Sequence, residues 1–221
     1  MNTRALIFDM DGTMVDSMPA HARSWGEFAR RHQVDMAIDE ILRRTTGRNG
    51  VECIRELFGP DVADARALEL VAEKEEIYRD AFAKEFREVA GFRAFASQAH
   101  DRGLKIAVAT AGDKHNIAFS LRHLQLAQPP DAVVGGDEGL PGKPEPALFL
   151  EAARRVGVAP AECIVFEDAP FGIEAARRAG MRAVAVCTTH GPAGLAGAHV
   201  IAQVRDFQQL ITTNFLESLH A

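Results

Sequence analysis

Cysteine is scarce. Cys53, Cys163 and Cys187 are the only three in 221 residues, widely spaced and without a CxxC pair, so they build neither a disulfide framework nor a thiolate zinc site. They read as buried structural thiols of a reducing compartment. Long apolar runs are missing too: stretches such as Ala5–Phe8 and Ala183–Cys187 are far too short to span a bilayer, and Met1–Arg4 has no signal-peptide apolar segment behind it. The expectation is a cytoplasmic protein with no membrane partner. There is no excess of basic residues, 25 against 31 acidic with a net charge of −6, which argues against a nucleic-acid partner held through phosphates. Internal repeats and low-complexity tracts are absent. What is present is ordinary for a folded chain, 47% hydrophobic and 25% charged, and the length allows one large domain or one domain carrying an insertion. A monomer is expected.

Leu6-Ile7-Phe8 is a continuous apolar run ending abruptly in Asp9-Met10-Asp11-Gly12, as a fully buried strand does when it delivers a polar loop at its carboxyl end. From Ala20 to about Ala90 the periodicity is helical, through Trp25/Phe28/Ala29, Ile38/Ile41/Leu42, Cys53/Ile54/Leu57/Phe58 and Leu68/Val71/Ala72. After Gly91 strands and helices alternate: strands at Leu104–Ala109, Ala132–Val134, Cys163–Phe166 and Met181–Val186, helices at Lys114–Leu124, Pro146–Val156 and Pro170–Ala179. A last strand signal around Ala198–Ile201 precedes Asp206, a helix N-cap. Such alternation predicts an α/β fold, a Rossmann-like parallel sheet with helices on both faces. Residues 1–16 and 89–221 would form this core, and 17–88 an inserted all-helical cap over the carboxyl edge of the sheet, where ligands bind in such folds.

Four signals fall at the carboxyl ends of four predicted strands: Asp9 and Asp11, Thr110, Lys143 beyond an intervening loop, and Glu167-Asp168. Acids, one lysine and one hydroxyl brought together suit a hard cation and a phosphate, because oxygen donors suit Mg²⁺. In order, Asp9-Met10-Asp11-Gly12-Thr13, Thr110, Lys143-Pro144 and Phe166-Glu167-Asp168 with Gly172 resemble the four motifs of the haloacid dehalogenase-like hydrolases. The resemblance covers nearly the whole chain. The insertion is similar to that superfamily's small helical cap, with His21 and Trp25 placed as in the branch of β-phosphoglucomutase and small sugar-phosphate phosphatases.

The resemblance implies a Mg²⁺-dependent phosphatase acting on a small phosphorylated metabolite, a sugar phosphate, through an aspartyl-phosphate on Asp9. Asp11 would be general acid and base, needing a carboxyl that can be protonated near neutral pH. Thr110 and Lys143 would stabilise the transferring phosphoryl group. Mg²⁺ would be held by Asp9, the carbonyl of Asp11 and Asp168, with Glu167 a direct ligand or a supporting partner. Gly12 would permit the tight turn. His21, Trp25, Arg48 and the loop residue Ala111 are the substrate-contact candidates. For His21 and Trp25, which share a helical face, packing inside the cap is the competing reading. Arg48 follows Thr46-Gly47 in a glycine-flanked loop; Asp16 and Ser17 read as hinge or helix-cap residues; His115, His123, His190 and His199 read as surface or packing residues.

The chain departs from the family pattern at Thr110-Ala111-Gly112-Asp113, which supplies fewer side-chain donors than usual, and its loop from Asp137 to Lys143 is glycine-rich. A phosphosugar mutase is the alternative, with Thr13 standing where that branch typically carries valine and Gly50 where a charge is expected. Dehalogenase chemistry lacks the acid at Asp11, and a phosphonate hydrolase wants a cap lysine near the nucleophile. A phospho-aspartate receiver domain, the reading from another class, is about half this length and has no helical insertion.

Overall fold

The computed structural model describes residues 2–46 and 48–219, so Gly47 lies outside the described residues. Six strands, β1 (Ala5–Phe8), β2 (Lys105–Ala109), β3 (Ala132–Val134), β4 (Cys163–Glu167), β5 (Arg182–Val186) and β6 (Val200–Val204), form one parallel sheet in the order β3-β2-β1-β4-β5-β6. This is the doubly wound arrangement, in which the chain turns from one half of the sheet to the other at β1 and β4 and leaves a crevice beyond their carboxyl ends. Register places Phe8 beside Phe166 and Val108, and the Asp9 amide donates to the carbonyl of Phe166 at 3.0 Å. Asp9 thus leaves the sheet beside Glu167.

Because successive strand side chains face opposite ways, β1 serves two cores. Leu6 and Phe8 join Ile106, Val108, Ile164 and Phe166 against α5 (Phe92–Asp101), α6 (Lys114–Leu124) and α9 (Phe207–Thr212). Phe8 stacks on Phe166 at 4.6 Å and meets Phe92 edge-on at 5.3 Å. On the other face Ala5, Ile7, Ala107 and Ala109 lie against α7 (Ala147–Val156) and α8 (Pro170–Arg178), the small side chains letting the helices approach.

Between β1 and α5 come only helices: α1 (Met18–Arg31), α2 (Ile38–Thr45), α3 (Gly50–Phe58) and α4 (Asp64–Ala83). They share a third core built on Phe28, Ile41, Ile54 and Leu70. Along α4 the buried stripe is Ala67, Leu70, Lys74, Tyr78 and Phe82. Of the expected face Leu68, Val71 and Ala72, Val71 is half-buried against the same core while Leu68 is 58% exposed and Ala72 exposed: spacing alone does not say which apolar positions find a partner. Tyr78 and Phe82 extend into the core domain's aromatic layer near Phe119.

The two connections to this helical unit run side by side. Val15 pairs antiparallel with Glu88, the Asp16 amide donates to the Arg87 carbonyl at 3.1 Å, the Val89 amide to the Met14 carbonyl at 3.0 Å, and Asp16 pairs with Arg87 at 2.6 Å. No helix among the described residues is long and apolar enough to cross a membrane.

Candidate active site

The carboxyl ends of β1, β2, β3 and β4 deliver functional groups to the crevice. Asp9 leaves β1 and Asp168 follows β4; both are buried. Lys143, carried in by the loop after β3 and joined to Pro144 by a cis peptide bond, donates to Asp9 and, at 2.6 Å, to Glu167. The second oxygen of Glu167 accepts from the Ala169 amide at 2.7 Å. Each oxygen thus has one protein partner and keeps a lone pair, so Glu167 orients the lysine and still offers an oxygen to a cation, as direct ligand or supporting partner. Gly172 on α8 is the residue that makes room, since a Cβ there would overlap the Glu167 side chain. Thr13 donates to Asp168 at 3.0 Å, and His190, expected to be surface or packing, lies on the Asp168 carbonyl at 3.0 Å. The Thr110 hydroxyl accepts from the Gly112 amide at 3.0 Å, which leaves its own proton to donate.

Burial raises the pKa of Asp9 well above the usual carboxylate range; Lys143 works against this, and the neighbouring Glu167 and Asp168 add to it. Asp168 is pushed up to about 7, by burial and then by Glu167. For Lys143, burial acts to lower the pKa, but Asp9 and Glu167 outweigh it and hold the ammonium form. The pocket thus concentrates more negative charge than one lysine offsets. Among the described residues no three His, Cys, Asp or Glu side chains are clustered as a metal site. A cation here would draw on the carboxylates of Asp9 and Asp168, on the main-chain carbonyl of Asp11 and on the neighbouring Glu167. An all-oxygen donor set beside uncompensated buried carboxylates fits Mg²⁺, which keeps waters and substrate oxygens in its shell.

Asp11 differs from Asp9 in every neighbour. Burial acts to raise its pKa, but His21 at 3.3 Å, Ser17 at 2.7 Å and Tyr78 at 3.1 Å together hold it at about 2. The donors around Asp11 favour its carboxylate form, whereas burial, with Glu167 and Asp168 close by, acts to raise Asp9 against the pull of Lys143. Ser17 occupies the N-cap of α1 without a side-chain cap bond; its hydroxyl is spent on Asp11. Asp16 does sit at the crossing between the two units.

A cavity of about 190 Å³ lies over these groups, and Asp9, Asp11, His21, Trp25, Arg48, Thr110, Ala111, Lys143, Glu167 and Asp168, every candidate from the sequence, line it. His21 stacks flat on Tyr78 at 3.8 Å. Trp25 does both jobs weighed for it, packing edge-on against Phe28 at 5.6 Å inside the cap and also lining the cavity. Arg48 lies 3.8 Å from Glu56 and keeps a buried Nε without a partner among the described residues. Sequence reasoning missed Lys74, Glu75 and Tyr78, all on α4. A signal existed for two of them: Lys74 and Tyr78 continue the four-residue stripe of Leu70 and Phe82.

Residues 3–180 match the haloacid dehalogenase-like hydrolase family. The chain is 36% identical over 181 residues to the fructose-1-phosphate phosphatase YqaB of Escherichia coli, covering 82% of this chain and 95% of that one. It is 31% identical over 189 residues to the β-phosphoglucomutase of Bacillus subtilis, covering 83% of each. A hydrolase structure from Pseudomonas syringae superposes with a TM-score of 0.86 at 26% identity, over 99% of this chain and 100% of that one. With its four motifs gathered at the carboxyl edge of a doubly wound sheet, the chain belongs to the haloacid dehalogenase-like hydrolases and is an enzyme of that family.

Proposed function

We propose that this phosphoric monoester hydrolase removes the phosphoryl group from a small phosphorylated sugar, with Mg²⁺, through an aspartyl-phosphate on Asp9. The observation that carries the reading is the pairing of a buried Asp9, bound by Lys143, with a second aspartate two residues on that is held by a separate set of donors. Asp9 attacks phosphorus, and the bond to the ester oxygen breaks as the new P–O bond forms. Asp11 passes a proton to the leaving oxygen and later accepts one from water, and His21 at 3.3 Å, with Ser17 and Tyr78, orients its carboxyl group for that exchange. Lys143, the Thr110 hydroxyl and the Ala111 main chain surround the position of the transferring oxygens. Asp9, Asp168 and the Asp11 carbonyl, with Glu167 beside them, would hold Mg²⁺, whose positive charge would offset the repulsion between carboxylate and phosphate.

Hydrolysis is favoured over the mutase alternative by two contacts. Thr13 uses its hydroxyl on Asp168, which valine lacks, and a side chain at Gly50 would collide with Val71, so the missing cap charge has a packing cause. A cap lysine does line the cavity, but Lys74 is paired with Glu75 at 2.8 Å rather than standing free as a nucleophilic amine for phosphonate cleavage. The test is release of inorganic phosphate from a panel of sugar phosphates with and without Mg²⁺. Isomerisation without phosphate release would make the chain a mutase.

A further inference from the structure

Glu75 borders the cavity, yet the reaction above does not use it. Its side chain is 13% exposed, with Oε1 accepting from Lys74 at 2.8 Å and Oε2 from the Asn116 amide at 2.7 Å. Asn116 is fixed in turn, because its carbonyl oxygen accepts from Arg79 at 2.9 Å. The carboxylate is therefore pinned from two sides, and each oxygen keeps a lone pair to accept another donor. Burial acts to raise its pKa, but Lys74, His21 and the two donors outweigh that and keep it a carboxylate.

The cap side of the cavity carries few charged groups. Among the described cap residues lining it, Arg48 and Lys74 are the cations and Glu75 is the acid. Lys74 is committed to Glu75 and His21 and lies over the Trp25 ring at 4.8 Å, so the charge nearest Glu75 is already paired, while Arg48 lies 3.8 Å from Glu56 with its buried Nε unpartnered among the described residues. A substrate hydroxyl arriving here donates to Glu75 without disturbing any of these contacts. A second phosphate arrives as an anion against a fixed carboxylate, and gains Lys74 only by breaking its ion pair.

We infer that Glu75 is a specificity-determining residue, selecting a phosphomonoester whose remaining part is uncharged and hydroxyl-bearing and rejecting a bisphosphate. This rests on the phosphatase reading above. The experiment compares fructose 1-phosphate with fructose 1,6-bisphosphate on the intact Mg²⁺-loaded protein, by kcat/KM and by calorimetric Kd. The wild type should prefer the monophosphate roughly tenfold or more, and Glu75→Gln should erase most of that preference, since it removes one fixed charge and little volume. Glu75→Asp, which keeps the charge, and Asn116→Ala, which removes only the anchor, should retain a preference for the monophosphate. An unchanged ratio in Glu75→Gln, or a wild type that prefers the bisphosphate, overturns the inference. The Kd ratio needs no turnover, so absence of hydrolysis together with the expected Kd ratio would overturn the phosphatase reading and leave the role of Glu75 standing.

Discussion

Asp9 and Asp11 stand two residues apart and answer to different surroundings, so their losses should differ. Asp9→Asn removes the nucleophile and should leave no covalent adduct, whereas Asp11→Asn still permits attack on an activated ester but slows water attack on the phosphoenzyme. Intact-mass spectrometry of acid-quenched protein after mixing with an activated phosphate donor should show phosphate on Asp11→Asn only; steady turnover by Asp9→Asn would refute the mechanism. Tyr78→Phe makes a finer test. It deletes one of the donors that depress Asp11, so the Asp11 pKa should rise and the acid limb of the pH–rate profile should move to higher pH. A profile that falls uniformly without moving would mean that Tyr78 only packs against His21. Of these groups Asp9 and Asp11 are legible in the sequence because they stand two residues apart at the end of an apolar strand; helical spacing announces that Tyr78 is buried, but not its contact with Asp11, which spans 67 positions.

At the level of elements, the turn from β4 into α8 couples packing to chemistry. Gly172→Ala should push Glu167 off Lys143, costing about 1–3 kcal/mol of stability and lowering kcat together; thermal melting and steady-state kinetics on the one variant check both, and an alanine tolerated with full activity would show that the turn relaxes. Strands β1 to β5 are readable because each is a short apolar run closed by a polar loop, and α6 is readable from its Asp113 cap, which accepts from the amides of His115 and Asn116. β6 lies a few residues beyond its expected place: it is an edge strand of alternating exposure whose pairing with β5 is shifted near Ala183. The sequence reading does not assign α5, although Phe92, Phe95, Ala96 and Ala99 follow helical spacing. α4 is the hardest case. Its run Glu73-Lys74-Glu75-Glu76 looks like a solvated face, and only its packing against α1 and the core tells the buried Lys74 from the exposed Glu76. Elsewhere on the surface one charged pattern recurs. Glu27, Glu40, Glu151 and Glu174 are each bridged by the arginines three and four residues on, and the arginines hold each glutamate at about 2. Because these pairs are exposed and screened by salt, replacing any one glutamate by glutamine should scarcely move the melting temperature.

For the molecule as a whole, the charge crowded at the strand ends should appear in how folding depends on pH and metal. An unfolded aspartate ionises near ~3.9, whereas Asp168 in the folded chain does so at about 7, with Asp9 also raised. Between those values the native state holds protons that the unfolded state has lost, so these two groups make stability fall as pH rises through that window. Asp11, held at about 2, works the other way: its contribution is present above ~4 and disappears as pH falls toward 2. Millimolar Mg²⁺ should therefore raise the melting temperature more at about pH 8 than at about pH 5, and Asp168→Ala should abolish that increment. An increment independent of pH would detach the cation from these carboxylates; full activity after exhaustive chelation would remove it from the reaction.

The paired straps at Val15 and Glu88 have a consequence for the chain's history as much as for its motion. Residues 16 and 87 leave and re-enter the core a single strand spacing apart, so from the core's side everything between them is a parenthesis: the main clause closes whether the aside is four helices or a short turn. Closing a longer or shorter loop between two points already held together changes its entropy by little. Such a junction tolerates the exchange of one lid for another, provided the newcomer brings its own cover for the aromatic ledge at Phe119 and its own donors for Asp11.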